Sequence, residues 1–357
     1  MILVTGGAGF IGTHFVLDWL AREQEPLLVV DKLTYAGNIH NLSTCAQDPR
    51  FYFIKGDIAD PVLIKSLLQQ HKPRALLNFA AESHVDRSIL DPQGFITTNV
   101  QGTFNLLEIT RDYLAGLSSH ERENFRFIQI STDEVYGSLT PTAPAFTEST
   151  PYAPNSPYSA SKAAADHFAR AYYHTYDVPV IITNCSNNYG PFQFPEKLIP
   201  LMCLNALEGK PLPIYGNGQN IRDWLHVSDH CAAVRLILAK GRLGESYNIG
   251  GQAEWTNLAV VQSICDLLQS RRPQTNPHYY HNLIQYVTDR PGHDQRYAMD
   301  ITKISQELGW QPRWNFSEGL SATIDWYLNH GDWVNQIRTG HYTQWLEENY
   351  THRSVLA

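Results

Sequence analysis

The segment that most limits how this 357-residue chain can fold is Thr5-Gly6-Gly7-Ala8-Gly9-Phe10-Ile11-Gly12. It follows a short apolar run, Ile2–Thr5, and leads into an amphipathic stretch, so it reads as the turn between a buried strand and a helix. Glycines at 6, 9 and 12 let the backbone bend, approach a pyrophosphate closely and pack the helix on the sheet. The helix N-terminus then faces the anion. The spacing is Gly-x-x-Gly-x-x-Gly, one position away from the commoner Gly-x-Gly-x-x-Gly, and three glycines alone also suit a purely structural bend. Asp31 narrows the choice. It ends the second apolar run about 20 residues beyond the turn, where a carboxylate accepts from both ribose hydroxyls and repels a 2′-phosphate. NAD is therefore expected over NADP, with the adjacent Lys32 blunting part of that repulsion.

Apolar, β-branched or aromatic runs at Ile2–Thr5, Leu27–Asp31, Phe51–Lys55, Ala75–Phe79, Phe127–Ser131 and Val180–Cys185 alternate with longer helical patterns. Nearly continuous apolar runs indicate strands buried on both faces, as in a parallel sheet covered by helices. The expected class is α/β, a Rossmann-type doubly wound parallel sheet. Gly56-Asp57-Ile58 and Asn78-Phe79-Ala80-Ala81 follow the third and fourth runs, at the carboxyl ends where ligands collect in such sheets. After Tyr189 the rhythm breaks, with prolines at 191, 195, 200, 211 and 213 and isolated helical patterns near Asn257–Gln269 and Glu318–Asn329. The division expected is a dinucleotide-binding domain over 1–190 and a smaller mixed α/β substrate-binding lobe over 191–357, some of whose segments return to the first domain.

Charge excludes one class of partner. With 27 Lys and Arg against 35 Asp and Glu, the net charge of −8 gives no basic field for nucleic acid, and an anionic ligand must rely on a few local cations. The chain opens without the basic and apolar regions of a secretory signal, and no run of ~18 apolar residues follows. A soluble, cytoplasmic protein without membrane contact is expected. Five cysteines, none in a Cys-x-x-Cys pair, read as reduced buried thiols. Asn-x-Ser/Thr matches at Asn41, Asn315 and Asn349 are given no glycosylation meaning in that setting.

Tyr158-Ser159-Ala160-Ser161-Lys162 places a phenol and an ammonium at i and i+4, on one face of a helix opened by Pro157. In isolation the pair also suits a solvated helix face. A phenol ionises near pH 10, and lowering that by ~3 units takes about 4 kcal/mol, which a neighbouring cation helps to supply. Upstream, Ser131-Thr132-Asp133-Glu134-Val135-Tyr136-Gly137 sits at the end of the fifth run, where a capping turn is the structural alternative. Two adjacent carboxyls offer an acid and a base whose titrations repulsion pushes apart. Oxidation of an alcohol needs no such pair, whereas elimination of water does.

The glycine turn and Tyr-x-x-x-Lys together resemble the extended short-chain dehydrogenase/reductase superfamily. Thr132-Asp133-Glu134, Asp31–Asn38, Ala81–Ser88 and Arg290-Pro291-Gly292-His293-Asp294 resemble, nearly end to end, its dTDP-glucose 4,6-dehydratase family. The resemblance implies an NAD-dependent lyase that forms dTDP-4-keto-6-deoxyglucose by transient C4 oxidation, loss of water across C5 and C6, and hydride return to C6. It implies that Tyr158 takes a sugar hydroxyl proton, that Lys162 also holds the nicotinamide ribose, that Glu134 removes the C5 proton and that protonated Asp133 donates to the departing C6 hydroxyl. The implied cofactor contacts are Gly6, Gly9, Phe10, Ile11, Gly12, Asp31, Lys32, Asp57, Ile58, Ala80, Ala81, Asn99 and Asn188, beside Tyr158 and Lys162. Ser83 and Thr132 would bind the hexose, while Asn187, Glu196, Lys197, Leu198, Pro213, Tyr215, Arg222, Asn257, Arg290 and His293 would hold the rest of the nucleotide sugar. A homodimer is also implied.

Two other functions remain open at this point: a nucleotide-sugar 4-epimerase, which has no task for the Asp133-Glu134 pair, and a non-catalytic dinucleotide-sensing protein. His226 and His230, with Asp229 between them, imitate a helical metal pair, but hydride chemistry needs no Lewis acid and no metal is expected. Ser83, His84 and Asp86 lie too close in the chain for a hydrolase relay, and no Gly-x-Ser-x-Gly elbow is present.

Overall fold

The computed structural model describes residues 1–338. The match at Asn349 and the end of the expected second lobe lie outside the described residues. Strands β1 (Ile2–Thr5), β2 (Leu27–Asp31), β3 (Phe51–Lys55), β4 (Ala75–Asn78), β5 (Arg126–Thr132) and β6 (Val180–Cys185) form in the first half. They are followed by β7 (Asn187–Tyr189), β8 (Leu212–Tyr215), β9 (Ile221–His226), β10 (Ser246–Ile249), β11 (Glu254–Thr256) and β12 (Ile284–Val287).

The main sheet has seven strands in the order β10-β6-β5-β4-β1-β2-β3, all paired parallel. Its order reverses between β1 and β4, which opens a crevice at their carboxyl ends. Consecutive residues feed the two sides of the sheet: Ile2 and Val4 join one core with Phe15, Trp19 and Ile130, and Leu3 joins the other with Leu28, Leu106 and Phe127. Each such fully buried side chain contributes about 1.5–3 kcal/mol, so an apolar run covered on both sides is held firmly in register.

The second half supplies β10 to the main sheet by pairing Ser246–Ile249 with Ile182–Cys185. Its other strands make two small sheets, β11-β9-β7 and β12-β8. Tyr189, Trp224, Phe316, Leu320 and Tyr327 build a separate core there. The helical patterns noted downstream become helices Asn257–Arg271 and Phe316–Asn329.

Helix Pro157–Tyr176 starts where its sequence requires: Ser156 and Ser159 form a reciprocal capping box, Pro157 fills the first turn, and Asp177 ends the helix in the left-handed region. All five cysteines are free and buried. Among the described residues, no helix is long and apolar enough to cross a membrane, and no three His, Cys, Asp or Glu side chains gather as a metal set. His226 caps helix Val227–Lys240 through Ser228, whereas the His230 ring meets the Asn188 side chain at 3.0 Å.

Candidate active site

The crevice between β1 and β4 widens into one cleft running from the glycine turn to the ends of β5 and β6. Gly6 has φ +68°, and a Cβ there would stand 2.5 Å from the Ala80 backbone nitrogen. A Cβ on Gly12 would collide with the Gly6 carbonyl oxygen. The turn is thus a cradle that side chains would fill, and its shape suits a pyrophosphate on the helix N-terminus. Asp31 is buried, and its two oxygens accept from Ala8 N–H at 2.9 Å and Leu33 N–H at 2.8 Å. Burial raises its pKa against these two donors. Lys32 pairs with Asp57 at 2.6 Å, which offsets part of its charge within the cleft wall. These residues fit a dinucleotide whose ribose lies against Asp31.

Gly6, Gly9, Phe10, Ile11, Gly12, Asp31, Lys32, Asp57, Ile58, Ala80, Ala81, Tyr158, Lys162 and Asn188 all line the cleft. Asn99 does not. Its amide bonds to both backbone groups of Glu82 and to the Ser161 hydroxyl, bracing the wall from behind.

At the far end β5 stops in a short turn, Asp133–Tyr136, capped by the Thr132 hydroxyl on Glu134 N–H at 3.3 Å. Capping therefore accounts for Thr132 but not for the carboxyls. Asp133 Oδ1 accepts from Thr132 at 3.2 Å, and its Oδ2 is buried with no partner. Burial, then Glu134 and Asp223, pushes Asp133 well above the usual carboxyl range. Burial also raises Glu134, but the cations of Arg290, Arg222 and Lys197 oppose it.

Tyr158 and Lys162 are both buried on one helix face. The expected lowering of the phenol pKa is not what this arrangement produces. Burial pushes Tyr158 well up, and the Glu134 carboxylate adds to it. The Lys162 ammonium donates instead to the Ile130 carbonyl at 2.6 Å; burial lowers its pKa, and the Asp166 charge opposes that.

Ser83, Thr132, Asn187, Glu196 and Lys197 line the same cleft. Lys197 donates to the Ser83 carbonyl at 2.6 Å. The Glu196 carboxylate is tied to Arg87 at 2.9 Å and to the Tyr35 hydroxyl at 3.1 Å. Leu198, Pro213, Tyr215, Arg222, Asn257, Arg290 and His293 fall outside those walls. Leu198 and Asn257 start helices, and Pro213 lies in β8. Tyr215 and Arg290 both meet Asp86, Arg222 stacks 4.2 Å from the Tyr297 ring centre, and His293 pairs with Asp289. Glu82, Cys185, Gln193 and Phe194 also wall the cleft and were not singled out from the sequence. Two of them carried a signal, Glu82 inside the Ala81–Ser88 segment and Cys185 as the last residue of a strand.

A family model described as GDP-mannose 4,6 dehydratase matches residues 3–323. A dTDP-glucose 4,6-dehydratase from Xanthomonas campestris pv. campestris (strain B100) is 57% identical over 340 residues, covering 95% of this chain and 96% of that protein. The chain belongs to the dTDP-glucose 4,6-dehydratase family. A crystal structure of the dTDP-glucose 4,6-dehydratase from Streptomyces venezuelae with NAD and TYD bound is similar, with a TM-score of 0.86 at 46% identity over 94% of this chain and 99% of that one. The UDP-glucuronic acid 4-epimerase from Bacillus cereus, in complex with UDP-glucuronic acid and NAD, reaches a TM-score of 0.80 at 28% identity over 92% and 99%. The fold is thus common to dehydratases and epimerases, and the nearer likeness in sequence is to the 4,6-dehydratase family.

Proposed function

We propose that this chain dehydrates dTDP-glucose to dTDP-4-keto-6-deoxyglucose with NAD as its cofactor. The observation that carries the reading is the Asp133-Glu134 pair: burial pushes the first carboxyl well above the usual range, while three cations oppose the smaller rise of the second. Bound NAD supplies a hydride acceptor that gives the hydride back within the same turnover.

The glycine turn would hold the pyrophosphate and Asp31 the adenosine ribose. Lys162, buried beside the cleft, would bind the second ribose. Tyr158 would take the C4 hydroxyl proton, and the approach of cationic groups must overcome the burial and the Glu134 charge that now keep the phenol protonated. A ketone at C4 makes the C5 hydrogen acidic, and Glu134 would be the base that removes it. The electron pair left at C5 forms the C5–C6 double bond as the C6 hydroxyl leaves, and Asp133 donates the proton that makes it water. Thr132 and Ser83 would orient the hexose, and Arg222 and Arg290 would face the diphosphate as charge-assisted donors.

The larger sheet with 1–190 would carry the cofactor and the remainder mainly the nucleotide sugar. A cytoplasmic homodimer completes the proposal, supported by the family resemblance and by the exposed Phe168 and Tyr176 on helix Pro157–Tyr176. Incubation with dTDP-glucose deuterated at C4 tests the reaction. The label should arrive on the C6 methyl group of a 4-keto product. A C4 epimer formed without loss of water would overturn it in favour of epimerisation.

A further inference from the structure

Asp86 was set aside above as a member of an impossible hydrolase relay, yet it is among the most fully buried acids in the chain, 4% exposed. It sits in the short helix Val85–Leu90 that follows β4, three residues after Ser83 in the cleft wall. Its Oδ2 accepts from the Tyr215 hydroxyl at 2.7 Å, at the end of β8. Its Oδ1 accepts from Arg290 Nη1 at 3.3 Å, beyond β12. One carboxylate thus gathers two side chains that lie 129 and 204 residues further along the chain.

The next residue does the opposite. Arg87 reaches Glu196 at 2.9 Å and covers the Tyr35 ring with its guanidinium at 3.8 Å. Adjacent opposite charges on one short helix therefore reach three segments of the second half, at Glu196, Tyr215 and Arg290.

Arg290 links this clamp to the chemistry. Burial works against its charge, and Asp86 together with Glu134 more than offsets that. Its Nε is buried without a hydrogen-bond partner. Buried ion pairs add little net stability over an apolar packing, so orientation is what such an arrangement provides.

We propose that Asp86 is a positioning residue of the nucleotide-sugar site, holding the Arg290 guanidinium and the Tyr215 phenol in one orientation toward the substrate. The inference rests on the nucleotide-sugar reading given above. Calorimetric titration of the NAD-loaded protein with dTDP tests it. Asp86→Asn should weaken dTDP binding roughly tenfold to hundredfold, the scale of a lost hydrogen bond to a charged group. NAD affinity should stay near wild type, and the KM for dTDP-glucose should rise by a larger factor than kcat falls. In an Arg290→Ala background the same substitution should cost much less, since the two residues act as a unit. Unchanged dTDP affinity, or an equal loss in both backgrounds, overturns the proposal. Should Asp86→Asn fail to fold, Asp86→Ser removes the carboxylate from a smaller side chain, and the same outcomes decide. A wild-type protein that binds NAD but not dTDP overturns the nucleotide-sugar reading and the inference with it.

Discussion

Asp133 and Glu134 are neighbours in the chain but sit in unlike electrostatic surroundings. The first has a carboxyl oxygen buried without a partner and is raised by its neighbour's charge, while the second is faced by Arg290, Arg222 and Lys197. Burial raises both carboxyls, but Asp133 further and Glu134 against more cations, so two like groups differ in how readily they hold a proton, as an elimination requires.

Glu134→Gln should leave NAD binding intact and lower turnover by about 10²–10⁴-fold, the usual contribution of a general base. Exchange of the C5 hydrogen with solvent, followed by NMR, should vanish. Undiminished exchange would remove Glu134 from its role.

Asp133 also makes a prediction about stability. Its folded pKa lies well above that of an unfolded carboxyl, so the folded state binds more protons and loses stability as pH rises past about 4. Asp133→Asn should therefore be more heat-stable than wild type at pH 7 by a few degrees, with the difference shrinking toward pH 4. Thermal unfolding at both pH values checks this. Turnover should fall sharply in the same variant.

Asp31→Ala should weaken NAD roughly tenfold to hundredfold, as expected for losing charged hydrogen bonds to a ribose. NADP should lose less, because repulsion of its 2′-phosphate is lifted as well. Fluorescence titration with both cofactors measures the ratio, and an unaltered ratio would dismiss Asp31 as the discriminating group.

Gly12→Ala forces a Cβ against the Gly6 carbonyl, a backbone atom that cannot swing aside. A loss of about 1–3 kcal/mol is expected for overpacking there. NAD binding should fail even at temperatures where the variant stays folded. Denaturant unfolding and NAD titration together separate the two effects.

Much of the site was legible because its signals are local. The glycine turn, Asp31 at a strand end and the i, i+4 spacing of Tyr158 and Lys162 each depend on residues close in sequence, and backbone geometry turns such spacing directly into shared faces and turns. Ala75–Phe79 proved one residue shorter as a strand, and the fifth strand extends to Thr132, a boundary shift that hydrogen-bond pairing decides rather than apolar pattern. The lowered phenol pKa was not legible in this form: spacing puts Lys162 on the right face, but the Ile130 carbonyl and Asp166 determine where its ammonium points.

From the chain alone came the parallel sheet, the cofactor turn, the acid pair and the Tyr-Lys face, because apolar periodicity and short spacings dictate them. Folding in three dimensions decided that β10 returns to the main sheet, that Asn99 braces rather than lines the cleft, that Glu196 is tied to Arg87, and that Asp86 meets Arg290. These depend on segments far apart in sequence meeting in one low-dielectric interior, where charges must find partners, and no local pattern encodes which partner that is.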